Sequence, residues 1–122
     1  VIDDQRLFLR KSLVTARDAG VRNDQIVLDP GFGFAKDADE NLALMARFEE
    51  LLDLGHPWLV GTSRKRFIGT VTGREGDERD IGTAATSAIL RMKGAAIFRV
   101  HDVAMNKAVL DMADAVLDSG AR

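Results

Sequence analysis

Three short apolar runs constrain this chain more than any other feature: Ile26-Val27-Leu28, Trp58-Leu59-Val60 and Ala96-Ile97-Phe98-Arg99-Val100. Each has the length of a strand and gives way to polar residues; Asp29-Pro30-Gly31 stops the first, because Pro30 cannot donate to a ladder. Their starts lie 32 and then 38 residues apart. That spacing fits βαβ units of about 30 residues or more, and hence parallel strands joined by helical crossovers.

The intervening stretches read as helices. Residues 3 to 19 place Leu9, Leu13 and Ala16 on one stripe, with Gly20 positioned to end the helix. Residues 39 to 54 carry Leu42, Met45, Phe48, Leu51 and Leu52 at helical spacing before Gly55. Phe67 to Val71 predicts a short helical turn, followed by the polar loop GREGDERD. A helix from about Ile81 to Lys93 is expected to turn Ala84, Ala85, Ala88, Ile89 and Met92 inward and to stop at Gly94. The last, over residues 104 to 118, runs through Ala108, Val109, Met112 and Val116. The order is therefore α-β-α-β-α-β-α, an α/β fold.

At 122 residues the chain is one domain at most, without linker, low-complexity tract or repeat. Three parallel strands leave both outer edges unpaired. A (β/α)8 barrel takes ~250 residues, so about three βα units plus a leading helix read as the C-terminal part of a TIM barrel. A small open parallel α/β sheet is the alternative. The first residue is Val1, not Met, and the expectation is that a leading portion was cut away or is missing. With 17 basic and 19 acidic residues the net charge is −2, which argues against a nucleic-acid partner. The chain has no cysteine, hence neither disulfide nor thiolate metal site, as suits a reducing cytosol. No apolar run approaches ~20 residues and no signal-peptide pattern opens the chain, so no membrane partner is expected.

In both architectures ligands gather at the C-terminal ends of parallel strands. Those ends are DPGFGFAK (29–36), GTSRKR (61–66) and RVHD (99–102). They collect Asp29, Lys36, Ser63, Arg64, Lys65, Arg66, Arg99, His101 and Asp102 on one rim, and this clustering points to a single site. Residues two apart share a strand face, so Arg99 pairs with His101, and Ser63 with Lys65 if the chain stays extended that far. Lys65, Arg99, His101 and a hydroxyl suit a phosphate or pyrophosphate, to which amides at the next helix start would add. Asp29 supplies an acceptor for paired N–H groups of a nitrogen heterocycle. Gly31 and Gly33 permit close approach, and Phe32 and Phe34 offer aromatic faces.

Plainer readings stand beside these. Asp29 before Pro-Gly is also a turn former, the run Arg64-Lys65-Arg66 also a solvated surface, His101 also a cap or core contact, and Asp102 also an N-cap. His56, in a turn at the other end of its strand, receives no role. GFGFAK lacks the third glycine of a dinucleotide fingerprint, and GTSRKRFIG is not a phosphate-binding P-loop. Two distant histidines without cysteine make no transition-metal site, and no metal ligand is expected in this chain.

Together LDPGFGFAK, the Asn41-Leu42 pair, LVGTSRKRFIG, Gly82-Thr83-Ala84 and RVHDV resemble the dihydropteroate synthase family, in order and spacing, from about residue 7 onward. The resemblance implies a pterin-binding TIM barrel of folate biosynthesis, a cytoplasmic transferase. It would condense 4-aminobenzoate with dihydropterin pyrophosphate and release pyrophosphate. By the same resemblance Asp29, Lys65 and Arg99 would bind the pterin, and Arg99, His101 and Ser63 the pyrophosphate. Phe34, Lys65 and Arg66 would line the aminobenzoate pocket, with Arg64 and Arg66 flanking the site as supporting charges. Arg66 departs from the serine found in many members, so its role there reduces to long-range charge. The resemblance further implies Mg2+, held by a ligand in a missing N-terminal portion, and a homodimer through the late helices. Residues 1–122 alone would then be inactive. A non-catalytic pterin- or phosphate-binding fragment and a related pterin-binding methyltransferase barrel are the alternatives.

Overall fold

The computed structural model describes residues 1–120. Five helices, α1 (Ile2–Asp18), α2 (Ala38–Ala46), α3 (Arg66–Thr72), α4 (Asp80–Met92) and α5 (Val103–Gly120), surround two short strands, β1 (Leu59–Val60) and β2 (Ile97–Phe98). The strands are parallel, with Leu59 opposite Ile97 and Val60 opposite Phe98. Arg99 N–H donates to the Val60 carbonyl at 3.0 Å and extends the ladder to the rim.

The first apolar run does not form a strand. Only Leu28 pairs, in a parallel bridge to Trp58, with hydrogen bonds to Pro57 and Leu59 of 2.9 and 2.8 Å. A 3₁₀ turn at Asn23–Gln25 precedes it and Pro30 follows, so few residues are free to join a ladder. The spatial order is nonetheless Leu28, β1, β2, the parallel sequence order that the spacing predicts.

The single helix expected over 39 to 54 is two pieces. Asp37 and Glu40 cap the start of α2 reciprocally, and the helix ends at Arg47, where Phe48–Leu54 continues as 3₁₀ turns. The break lets Phe48 meet Trp58 edge to face, with ring centroids 5.4 Å apart. Both rings are buried, with Leu44, Leu51, Val60 and Leu90 in the same core.

The inward faces of the late helices also differ from expectation. In α4 the buried residues are Asp80, Thr83, Ala84, Ser87 and Leu90, while Ala85, Ile89 and Met92 are exposed. In α5 they are Asn106 and Ala113, whereas Ala108, Met112 and Val116 are exposed. The helices meet through polar pairs, Ser87 Oγ donating to Asn106 Oδ1 at 2.7 Å. That turns an apolar face of Ala88, Met92, Val109, Met112 and Val116 outward. Among the described residues no helix is long and apolar enough to cross a membrane.

Candidate functional site

The rim is built from three turns. In the first, Asp29 Oδ1 accepts from Gly31 N–H at 2.8 Å, so the turn-forming reading of Asp29 holds. Gly31 and Gly33 take φ of 72° and 83°. Lys36 Nζ folds back onto the carbonyls of Pro30, Gly31 and Phe34 at 3.3, 3.0 and 3.2 Å, and burial lowers its pKa against the pull of Glu40 and Asp29. Lys36 is therefore a staple of this turn. Buried Asn41 is a second staple: its Oδ1 accepts from Gly33 N–H at 2.8 Å and its Nδ2 donates to the Asp37 carbonyl at 2.9 Å.

Phe32 and Phe34 are not equivalent. Phe32 is fully buried, stacked at 6.3 Å on Phe67, and offers no face to a ligand. Phe34 is 70% exposed, and the Lys65 ammonium sits 4.5 Å above its ring.

The second turn does not stay extended. Lys65 N–H bonds the Thr62 carbonyl at 3.1 Å, and Arg64 between them has a left-handed φ of 56°. Strand parity therefore lapses, and Ser63 and Lys65 diverge. Lys65 crosses to the first turn, where Nζ donates to the Phe32 carbonyl. Burial lowers its pKa; Asp29 opposes that shift, while Arg99 and Lys36 add to it. Lys65 thus senses side chains from both of the other strand ends.

Ser63 turns instead to the third strand end. Its Oγ lies 2.6 Å from His101 Nδ1 and accepts from His101 N–H at 3.0 Å. Asp102 caps α5, its Oδ1 accepting from Met105 N–H at 3.0 Å. Arg99 is exposed at the same end.

The three neighbouring cations of the second turn have different partners. Arg64 is held by Asp80 in a two-pronged pair, Nε–Oδ1 2.8 Å and Nη2–Oδ2 2.9 Å, so it is neutralised and is not a free supporting charge. That pair raises the Arg64 pKa and holds the Asp80 carboxyl below its ordinary range. Arg66 is exposed at the first position of α3. With Phe34, Lys36, Asp37, Asn41 and Lys65 it lines a cleft of about 630 Å³.

Phe34, Lys65 and Arg66 are thus brought together in one cleft, and Ser63 and His101 in a separate pair. Asp29 and Arg99 lie within electrostatic reach of Lys65. Sequence reasoning missed the holding roles of Asp80, Thr83 and Arg79. The structural part of Asn41 was readable in principle, since asparagine inside a helix competes for backbone partners. Among the described residues no group of three or more His, Asp or Glu side chains is placed to hold a metal ion.

The pterin binding enzyme family matches residues 1–101. A dihydropteroate synthase of Bacillus subtilis is 44% identical over 120 residues, covering 98% of this chain and 42% of that protein. The crystal structure of the Yersinia pestis dihydropteroate synthase superposes with a TM-score of 0.94 at 34% identity, covering 96% of this chain and 55% of that one. The Xanthomonas albilineans enzyme in complex with 7,8-dihydropteroate gives 0.92 at 39% identity, over 95% of this chain and 46% of its own. The chain spans about half or less of the length of these relatives.

Proposed function

This chain belongs to the pterin binding enzyme family, and on that premise we propose that it supplies the late βα units of a dihydropteroate synthase barrel, including one side of its active site. Lys65 carries the reading: a partly desolvated ammonium lies over exposed Phe34, within the fields of Asp29 and Arg99. Such a junction suits a nitrogen heterocycle beside Asp29, with an aromatic amine on the Phe34 side and an anion on the Arg99 side.

In the proposed reaction the amine of 4-aminobenzoate attacks the methylene carbon of dihydropterin pyrophosphate. The carbon–oxygen bond breaks with its electron pair passing to pyrophosphate, which leaves a pterin-stabilised cation for the amine to attack, and the amine then releases a proton to water. Asp29 holds the pterin ring, to which it can still offer its second carboxylate oxygen. Phe34 packs on the aminobenzoate ring, and Arg66 at the mouth of the cleft attracts its carboxylate. Arg99 lies against the pterin and, with His101 and Ser63, receives the pyrophosphate. Cations beside the leaving group, Arg99 foremost, would stabilise the charge that grows on it. Asp29 and Asp102 each accept from a backbone N–H of their own turn, and among the described residues the rim gathers no set of carboxylates that makes a magnesium site. Any Mg2+ would be held by residues outside this rim.

Two further features support the barrel. The sheet is open beside Leu28 and beside β2, where Val27 and Ile97 are 47% and 41% exposed. Additional strands would pair at both edges. The outward apolar face of α4 and α5 would be the homodimer contact, and the assembled enzyme would act in the cytoplasm.

The test is turnover of dihydropterin pyrophosphate with labelled 4-aminobenzoate. Labelled dihydropteroate is expected when this chain works with the polypeptide supplying the remaining strands, and none from residues 1–122 alone. Product from these residues alone would overturn the need for further strands. No product from the assembled barrel would overturn the function and favour a non-catalytic pterin-binding piece.

A further inference from the structure

We propose that Arg64 and Asp80 form a latch that positions Lys65 and Ser63 for the ligand, making Arg64 a positioning residue and not a ligand contact. The inference rests on the function proposed above. Arg64 occupies φ 56°, a left-handed conformation that L side chains avoid and glycine takes freely. An arginine is found there with its backbone N–H and carbonyl and two of its guanidinium nitrogens partnered. Its N–H donates to Thr83 Oγ1 at 3.0 Å, its carbonyl accepts from Arg79 Nη1 at 3.1 Å, and its guanidinium forks onto Asp80. Fork-to-carboxylate pairing fixes orientation as well as distance.

All three anchors come from one place, the 3₁₀ turn Gly76–Arg79 and the first turns of α4. Arg79 takes this pose over Gly69, where a Cβ would lie 2.5 Å from Arg79 Nε and displace the guanidinium. Gly82 is equally tight, since its Cβ would stand 2.5 Å from Ile68 Cγ2, which fixes α3 against α4. The polar stretch GREGDERD, without a role in the sequence reading, thus ends in the two residues that hold Arg64.

The latch matters because of what lies on either side of it. The left-handed kink sends Ser63 toward His101 and Lys65 toward Phe32 and Phe34. An extended Arg64 would turn both side chains to one face and break that division of the rim. Holding the kink with an ion pair also spends the Arg64 charge, which leaves Lys65, Arg66 and Arg99 as the cations facing the ligand.

A double-mutant cycle tests this by 7,8-dihydropteroate affinity in the complete protein that carries this chain. Arg64→Gly keeps the backbone conformation accessible but removes the fork, and Asp80→Asn removes its carboxylate. Each is measured with Lys65 present and in a Lys65→Ala background, with thermal stability recorded for every variant. Both single variants are expected to weaken binding by about tenfold with Lys65 present, and by less than about twofold without it. A bare charge effect would move the two in opposite directions, because one removes a positive and the other a negative charge near an anionic ligand. Opposite signs, equal losses in both backgrounds, or wild-type affinity in Arg64→Gly would each overturn the latch. If Arg64→Gly fails to fold, Asp80→Asn decides by the same criterion. Failure of the unsubstituted protein to bind 7,8-dihydropteroate would overturn the proposed function and the latch with it, a result separate from a failed cycle on a binding protein.

Discussion

Replacing Gly33 with alanine perturbs the site at one atom. Gly33 has φ 83°, and a Cβ built there would lie 2.6 Å from Lys65 Cδ and 3.5 Å from Lys65 Nζ. Two costs follow. An alanine in the left-handed region loses about 1 kcal/mol or slightly more in stability. The contact with Lys65 is relieved by swinging that flexible side chain, which forfeits its bond to the Phe32 carbonyl and its 4.5 Å contact with Phe34. A hydrogen bond to a charged group contributes about 1.5–3 kcal/mol, and water replaces part of it at a half-buried lysine, so about 1.5 kcal/mol is the expected net loss. A displaced Lys65 should also meet the ligand less well, by roughly tenfold in affinity if a bond of similar strength is lost there. Gly55→Ala is the matched control: its φ is 80°, and an added Cβ meets nothing within 4 Å. Thermal denaturation and 7,8-dihydropteroate titration of the two variants should show a stability loss about 1.5 kcal/mol larger in Gly33→Ala, with affinity lost only in that variant. Equal affinities would refute the claim that the Lys65 posture allowed by Gly33 governs binding.

Asn41→Ala removes the acceptor for Gly33 N–H, and denaturant titration should show a loss of about 1–2 kcal/mol, with faster hydrogen exchange at Gly33. Lys65 should titrate below the ordinary lysine value in side-chain NMR, because burial disfavours its charge. Its folded pKa lies below its unfolded one, so the unfolded chain binds more protons between them and stability should rise as pH increases through that window. Asp80 acts with the same sign at acid pH: its depressed pKa makes the Arg64 pair stabilising above about pH 4, and stability should fall as pH drops through the folded value. Met112→Glu should shift the protein toward monomer in light scattering without changing the secondary structure of α5, since Met112 is 67% exposed on the apolar face.

Much of this architecture is legible in the sequence, for reasons that also mark where the reading ends. Strand spacing predicts the parallel order of Leu28, β1 and β2, because a crossover helix needs its length whatever its details. The same order puts Asp29, Lys65 and Arg99 at neighbouring strand ends. Residue type alone does not separate Phe32 from Phe34, because their burial depends on Phe67, which is distant in sequence. Nor does it reveal that Arg64 is neutralised, since Asp80 lies 16 residues away. The faces of α4 and α5 are misread because methionine and isoleucine look like core, whereas Thr83, Ser87 and Asn106 are buried by satisfying one another and the backbone. The break at Arg47 follows from the fit of Phe48 against Trp58, which no local helical pattern encodes.

The most direct test of the central claim, a single ligand site at three strand ends, is an amide NMR titration of the assembled protein with 7,8-dihydropteroate and pyrophosphate. The largest shifts are expected at Gly31, Gly33, Ser63, Lys65, Arg99 and His101, with the outward face of α4 and α5 unmoved. Pyrophosphate alone should move Ser63, Arg99 and His101 before it moves Gly31 or Gly33. Shifts confined to one of the three turns, or centred on the helical face, would contradict the account.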